Sequence, residues 1–140
     1  MRAQALPIDG ATNMEEVRVP TAREAMDAYA GAWNASDPDT ARRLMEQALT
    51  ADALLAYPRF EARGWDEIAA LMVAYKQQLP GLRIELTSSV EEHHGWARVG
   101  WRMRDAAGAV LGEGEDVAEL AADGRFSRML GFRNPLPPVP

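Results

Sequence analysis

Residues 110–132, VLGEGEDVAELAADGRFSRMLGF, predict a β-hairpin with one acidic residue on the apolar face of its first strand. Asp123 and Gly124 form a typical turn pair, and the flanking segments alternate as strands do. One face of the first segment carries Val110, Gly112, Gly114, Asp116, Ala118 and Leu120; the other carries Glu113, Glu115 and Glu119. An unpaired charge on an apolar face is costly. Asp116 is therefore the first candidate for a functional residue.

Composition predicts one globular domain and argues against several classes of partner. The chain has 140 residues, 47% hydrophobic and 26% charged, and a formal net charge of −6. Nucleic acids and anionic lipid surfaces attract basic proteins, so we expect neither as a partner. There is no cysteine, which excludes disulfides and thiolate chemistry. No apolar run is long enough for a membrane span, and a cytoplasmic protein is the expectation.

The N-terminal half predicts three helices and one strand. Residues 1–19 show no sustained period and are predicted to be a flexible arm. Thr21 and Glu24 form the capping-box pattern of a first helix, and Asp37 followed by Pro38 begins a second. Residues 50–57 are predicted as a strand, 58–64 as a loop and 65–79 as a third helix.

The C-terminal half predicts four antiparallel strands and a short tail. Residues 82–90 and 97–103 alternate as the hairpin does, with His93, His94 and Gly95 as a turn between them. The proline-rich tail, 134–140, cannot form a central strand. The sheet has one apolar and one charged face, so the fold class is α+β with the helices covering the apolar face.

Several strings in this order resemble a known family. They are YAGAWNASDPDTARRL (29–44), ADALLAYP (51–58), GWDEI (64–68) and GEDVAELAADGRFSRMLGF (114–132). Together they resemble the SnoaL-like branch of the nuclear transport factor two-like superfamily over residues 20–133. The resemblance implies a curved, mostly antiparallel sheet wrapped around three helices, which leaves a cone with an open pocket. It also implies a homodimer through the outer sheet face.

The resemblance implies a site built on Asp116. Ketosteroid isomerases of this superfamily use a tyrosine on the first helix and an aspartic acid on the penultimate strand, and these positions hold Tyr29 and Asp116. The position of their catalytic base holds Tyr57, and a tyrosine with a pKa near 10 is a poor base at neutral pH. The arrangement is more similar to that of SnoaL-type polyketide cyclases, in which a late-strand aspartate is the acid/base.

The leading hypothesis is a cofactor-free enzyme for cyclisation or isomerisation of an apolar, carbonyl-bearing molecule, polyketide-like or steroid-like. Asp116 would be the acid/base, with Tyr29 and Tyr57 as hydrogen-bond donors. The predicted substrate-binding walls are Met26, Trp33, Leu55, Met72, Trp101 and Leu130. No metal is expected, because His93 and His94 are adjacent in a turn and converge poorly on one ion.

Three alternatives stay open at this point. Asp116 could be a structural hydrogen-bond partner in a non-catalytic module for ligand binding or dimerisation. Tyr29 and Trp33, one helical turn apart, could be simple core aromatics. An epoxide hydrolase is a third possibility, but it needs several acids around a water, and the pattern places one acid inward. Arg59, Glu61 and Arg63, on the loop near the expected mouth of the cone, are expected to be solvated, and one of them could steer an acidic or carbonyl substrate.

Overall fold

A computed structural model describes residues 18–140, so residues 1–17 of the predicted arm lie outside the described part. Three helices and seven strands follow one another along this part of the chain. They are α1 (Ala22–Asn34), α2 (Pro38–Ala48), β1 (Leu49–Tyr57), β2 (Phe60–Arg63), α3 (Gly64–Gln78), β3 (Arg83–Leu86), β4 (Glu91–His93), β5 (Trp96–Arg104), β6 (Val110–Leu120) and β7 (Phe126–Arg133).

The starts of the first two helices are those that the capping residues predict. The Thr21 side chain accepts a hydrogen bond from the Glu24 backbone, and the Glu24 carboxylate accepts one from the Thr21 backbone, which completes the capping box. At α2, the Asp37 carboxylate accepts a hydrogen bond from the Thr40 N–H. None of the helices in residues 18–140 is long and apolar enough to cross a membrane.

The strands form one mixed, curved and unclosed sheet in the order β2-β1-β7-β6-β5-β3, with β4 also paired to β5. The β1–β7 pair is parallel and the others are antiparallel. Register shifts interrupt three ladders, at Leu49/Leu54, Met103/Arg104 and Glu119/Leu120. Such irregularities increase the local twist of a strand, which contributes to a curved sheet.

The helices cover the concave face of the sheet, as predicted. At the end of α1, the Asn34 side chain accepts a hydrogen bond from the Ile84 N–H at 2.6 Å and donates one to its carbonyl at 2.8 Å. Lys76 on α3 donates to the carbonyls of Ala32 and Ala35 at the same end. These bonds hold α1 between β3 and α3. The α+β cone is therefore confirmed.

Two segments differ from the prediction. The predicted loop 58–64 contains β2, because Phe60–Arg63 pairs with the end of β1, and this cross-strand pairing leaves no periodic trace in four residues. The predicted strand 82–90 is shortened to β3, and a separate short strand, β4, begins only at Glu91. Between them the Ser88 hydroxyl, rather than a backbone carbonyl, accepts a hydrogen bond from the Gly100 N–H at 2.9 Å.

The convex face of the sheet carries cross-strand ion pairs. Arg102 donates to Glu113 at 2.9 Å, and Arg98 lies 3.8 Å from Glu115. Glu85 accepts from both Arg102 and Arg104. The alternation of charged residues in the sequence predicted a solvated face here, and the structure shows that its charged side chains pair across the strands.

Candidate active site

A pocket opens between the concave face of the sheet and the helices. Its empty volume is about 680 Å³, including the part that is open to solvent. Most of its walls are aromatic or aliphatic. The lining residues are Tyr29, Trp33, Tyr57, Pro58, Arg59, Phe60, Tyr75, Leu82, Ile84, Trp101, Met103, Asp116 and Arg133.

Asp116 lies on the concave face of β6, as the alternation predicted. It pairs across the sheet with Val99 and Gly131, and only 4% of its surface is exposed. Its Oδ1 atom finds no hydrogen-bond partner among residues 18–140. Burial raises the pKa of Asp116 to about 7, against the opposing effect of the nearby Tyr57 hydroxyl and Trp101 N–H. Near neutral pH this carboxyl can both take up and release a proton.

Tyr29 and Tyr57 form a hydroxyl pair beside Asp116. Tyr29 comes from α1 and Tyr57 from the last position of β1, and their oxygens are 2.8 Å apart. Burial, and then the negative charge of Asp116, raises the pKa of both tyrosines above its ordinary value near 10. Both hydroxyls therefore stay protonated at neutral pH. They can donate hydrogen bonds but are unsuited to act as bases.

Two glycines leave the space that the aromatic side chains of the site occupy. Gly131 pairs with Asp116, and a Cβ added to it would collide with the ring of Tyr57. Gly114 pairs with Trp101, and a Cβ there would lie 2.6 Å from the Trp101 ring, besides colliding with the Phe132 carbonyl. Both glycines stand in the sequence motifs quoted above, but their role depends on cross-strand neighbours that the sequence alone does not show.

Trp101 adds a polar group that the sequence analysis missed. It was predicted as an apolar wall, and its ring does line the pocket. Its buried Nε1 atom also has no hydrogen-bond partner in the described part of the chain. This N–H lies near the Asp116 carboxyl, whose pKa it lowers, so it can donate to that carboxylate or to a ligand oxygen. The pocket thus holds a donor on Trp101 and an acceptor on Asp116 that lie near each other without forming a close hydrogen bond.

The structure brings together some of the predicted site residues and separates others. Asp116, Tyr29, Tyr57, Trp33 and Trp101 all line the pocket. Four of the six predicted wall residues do not: Met26, Leu55, Met72 and Leu130.

The first three are buried in the hydrophobic core, where helix and strand side chains pack against one another. Leu130 pairs with Val117, one position away from the Asp116–Gly131 pair, and so points to the convex face. Phe60 and Tyr75 line the pocket instead of these four residues, so its walls are more aromatic than predicted.

His93 ends β4 instead of lying in the predicted turn, His94 lies in the turn that follows, and neither lines the pocket. Both are exposed, and His94 has a φ of 52°. Residues 18–140 contain no group of three or more His, Cys, Asp or Glu side chains that could hold a metal ion. Among the residues that line the pocket, Asp116 is the one acid.

Comparison with known proteins gives the family. Neither a protein-family model nor a curated protein matches the chain. Among solved structures, a presumed SnoaL-like polyketide cyclase from Jannaschia sp. CCS1 is 15% identical, with a TM-score of 0.63 over 85% of this chain and 91% of that one. A protein with a ketosteroid isomerase-like fold from Catenulispora acidiphila, in complex with trimethylamine, is 11% identical, with a TM-score of 0.64 over 81% and 86%.

At these low identities the two structures show only that the fold is shared. A third solved structure also shows the family. A presumed isomerase of the SnoaL-like family from Agrobacterium tumefaciens is 30% identical, with a TM-score of 0.74 over 79% of this chain and 95% of that one. With this identity over nearly the whole of the relative, the chain belongs to the SnoaL-like family.

Proposed function

We propose that the protein is a cofactor-free enzyme in which Asp116 transfers a proton to and from an apolar, carbonyl-bearing substrate. The observation that carries the proposal is a carboxyl group buried in an aromatic pocket, with one oxygen unpaired and a pKa of about 7. A general acid/base works best when its pKa lies near the working pH. A carboxylate that served only the fold would be expected to have its hydrogen bonds satisfied.

The proposed step is enolisation. The Asp116 carboxylate removes a proton from the carbon next to the substrate carbonyl, and the electron pair of that C–H bond moves to form an enolate. In an isomerisation, Asp116 returns the proton to a different carbon. In a cyclisation, the enolate carbon attacks a second carbonyl of the same molecule, forming a C–C bond, and Asp116 gives its proton to the resulting alkoxide. Neither route needs a co-reactant.

Two donors are placed to stabilise the enolate oxygen. Tyr57 is less buried than Tyr29 and lies nearer the open space, so we assign it the direct hydrogen bond. Tyr29 would donate to the Tyr57 oxygen, which leaves the Tyr57 proton free for the substrate. The unpaired Trp101 N–H is the second candidate donor. Preorganised donors in a dry site are among the largest contributions to catalysis.

A binding-only module is the competing hypothesis, and the same aromatic walls would serve it. The two hypotheses differ in what Asp116 does, since a module needs no proton transfer. An epoxide hydrolase fits the pocket less well, because activation of a water by several acids would draw on more than the single acid that lines it.

The test measures binding and proton transfer separately on 2-tetralone, a two-ring ketone with an acidic C1 position. NMR in D₂O follows deuterium exchange at C1, and calorimetry measures binding, for the wild type and for Asp116→Asn and Tyr57→Phe. We expect the wild type to accelerate exchange, Asp116→Asn to bind without accelerating it, and Tyr57→Phe to fall between them. Binding without acceleration by the wild type would contradict the enzyme hypothesis and support the module.

We further propose a homodimer through the convex face of the sheet. The proposal is supported by two exposed aromatic side chains on that face, Trp96 at 39% and Phe132 at 54% exposure, among the ion pairs. Sedimentation of the wild type should give the mass of two chains, and Trp96→Glu should give one. A wild-type monomer at high concentration would contradict this.

A further inference from the structure

Two arginines at the mouth of the pocket lack the acidic partners that most arginines of this chain have. Arg59 and Arg133 are the basic residues that line the pocket, and both are exposed. Neither forms a salt bridge within residues 18–140, whereas Arg98, Arg102 and Arg104 on the convex face all do. Arg43, Arg63 and Arg83 also form none there, but they do not line the pocket. In a chain with a net charge of −6, an unpaired basic pair at a pocket mouth calls for an explanation.

Arg133 lies on the same face of the sheet as Asp116. It pairs with Gly114, two positions from the Asp116–Gly131 pair, so its side chain starts on the concave face. Its guanidinium group lies over Gly112, where an added Cβ would be only 3.2 Å from Nη2. The glycine therefore leaves the space that this cation occupies. In the same way, Gly114 and Gly131 leave space for the rings of Trp101 and Tyr57.

Arg59 reaches the same rim from the neighbouring strand. The parallel register pairs Ala56 on β1 with Leu130 on β7, so both strands end at the same edge of the sheet. Arg59 follows β1 in the turn before β2, and Arg133 ends β7. Two cations from adjacent strands therefore stand on one side of the opening.

We propose that the pocket takes substrates with an apolar ring system and a carboxylate, and that Arg59 and Arg133 bind the carboxylate at the rim. The planar guanidinium fork matches the geometry of a carboxylate. Gly112 and Asp116 are four residues apart on β6, or about 14 Å along the strand. Two fused rings with a carboxylate cover about half of that span, three cover most of it, and the flexible Arg133 side chain, whose backbone pairs with Gly114, can turn inward to cover the remainder. The carboxylate can thus sit at the rim while the carbon beside the carbonyl reaches Asp116.

This inference rests on the proposed function for the position of the reacting carbon, but its binding claim can be tested alone. The probes are 2-tetralone-6-carboxylate and 2-tetralone-6-carboxamide, which differ in charge and hardly in shape. Calorimetry measures their affinities for the wild type, Arg59→Gln, Arg133→Gln and the double variant. Arg43→Gln is the matched control, since Arg43 is an exposed arginine on α2 that does not line the pocket.

We expect the wild type to prefer the carboxylate about tenfold, since exposed ion pairs are individually weak and two act together here. Each single variant should lose part of this preference and the double variant all of it, while Arg43→Gln keeps it. Added salt should reduce the wild-type preference. Equal wild-type affinities, a preference that survives in the double variant, or no binding of the carboxylate at millimolar concentration would each overturn the proposal.

The two proposals fail in different ways. If the wild type exchanges protons of uncharged 2-tetralone but shows no preference for the acid, the carboxylate claim alone is wrong. If the arginine-dependent preference appears without any proton exchange, the pocket binds organic acids and the enzyme hypothesis is wrong.

Discussion

The two faces of the sheet place carboxylates in opposite surroundings. On the convex face, Glu85 accepts hydrogen bonds from Arg104 and Arg102, which lower its pKa below the ordinary value. On the concave face, Asp116 has no basic neighbour that shifts it, and burial raises its pKa to about 7. The sheet alternation thus separates carboxylates that bind arginines in solvent from one that is kept poised for proton transfer.

The largest expected effect contrasts two neighbours in sequence. Asp116→Asn should lower the rate of catalysed proton exchange by about 10²- to 10⁴-fold, the usual contribution of a positioned acid/base. Glu115→Gln, one residue away on the convex face, should leave the rate unchanged. NMR exchange rates at saturating 2-tetralone measure both. Equal losses in the two variants would show that the faces do not differ in function.

The second effect concerns stability and pH. The folded pKa of Asp116, about 7, is above the ordinary unfolded value. The protonated carboxyl is thus favoured in the folded state, and its stabilisation is lost as the pH rises from about 4 through 7. The asparagine in Asp116→Asn does not titrate, so this variant does not lose stability at position 116 as the pH rises. Its free energy of unfolding relative to the wild type should therefore rise by roughly 4 kcal/mol at most between pH 4 and pH 8.

Urea unfolding of both proteins across this range measures the difference. Glu113→Gln is the control, because it removes a convex-face carboxylate that lies in solvent beside Arg102. A difference between wild type and Asp116→Asn that stays flat with pH would mean that Asp116 is ionised in the folded state throughout the range.

A third comparison uses glycines from the two faces. Gly131→Ala should displace the Tyr57 ring and lower the free energy of unfolding by about 1 to 3 kcal/mol, the usual cost of overpacking. Gly100→Ala on the convex face meets the Thr87 hydroxyl, at the end of a short side chain beside solvent, and should cost less. Urea unfolding measures both, and proton exchange should fall in Gly131→Ala alone. A larger loss of unfolding free energy in Gly100→Ala than in Gly131→Ala would contradict this description of the pocket.

The smallest effect is that of a convex-face ion pair. Glu113→Gln removes the partner of Arg102 across the β5–β6 ladder. Because both side chains are partly exposed, the loss of stability should be below about 1 kcal/mol and should shrink in added salt. Urea unfolding at two salt concentrations checks this. A loss of several kcal/mol would mean that the ladder is a major source of stability.

Sequence patterns predicted the fold well where the signal was local. The Thr21–Glu24 box and Asp37–Pro38 set the starts of α1 and α2. The alternation in β6 assigned Asp116 to the correct face. Each of these depends on residues a few positions apart, so one chain segment contains the whole signal.

The walls of the pocket could not be predicted in the same way. Met26 and Trp33 share a stripe of α1, but only Trp33 borders open space, and periodicity does not distinguish a packed face from a lined one. Leu130 was assigned to the wrong face because β7 follows a turn and a register shift at Glu119/Leu120. A shift of one residue moves every side chain to the other face.

The most direct test of the central claim is the titration of the Asp116 carboxyl itself. The ¹³C chemical shift of its Cγ, assigned by its absence in Asp116→Asn, can be followed by NMR from pH 4 to pH 9 in the free protein. A midpoint near pH 7 would confirm that the concave face holds a carboxyl poised for proton transfer. A midpoint below about pH 5, in the range of solvated aspartates, would contradict it.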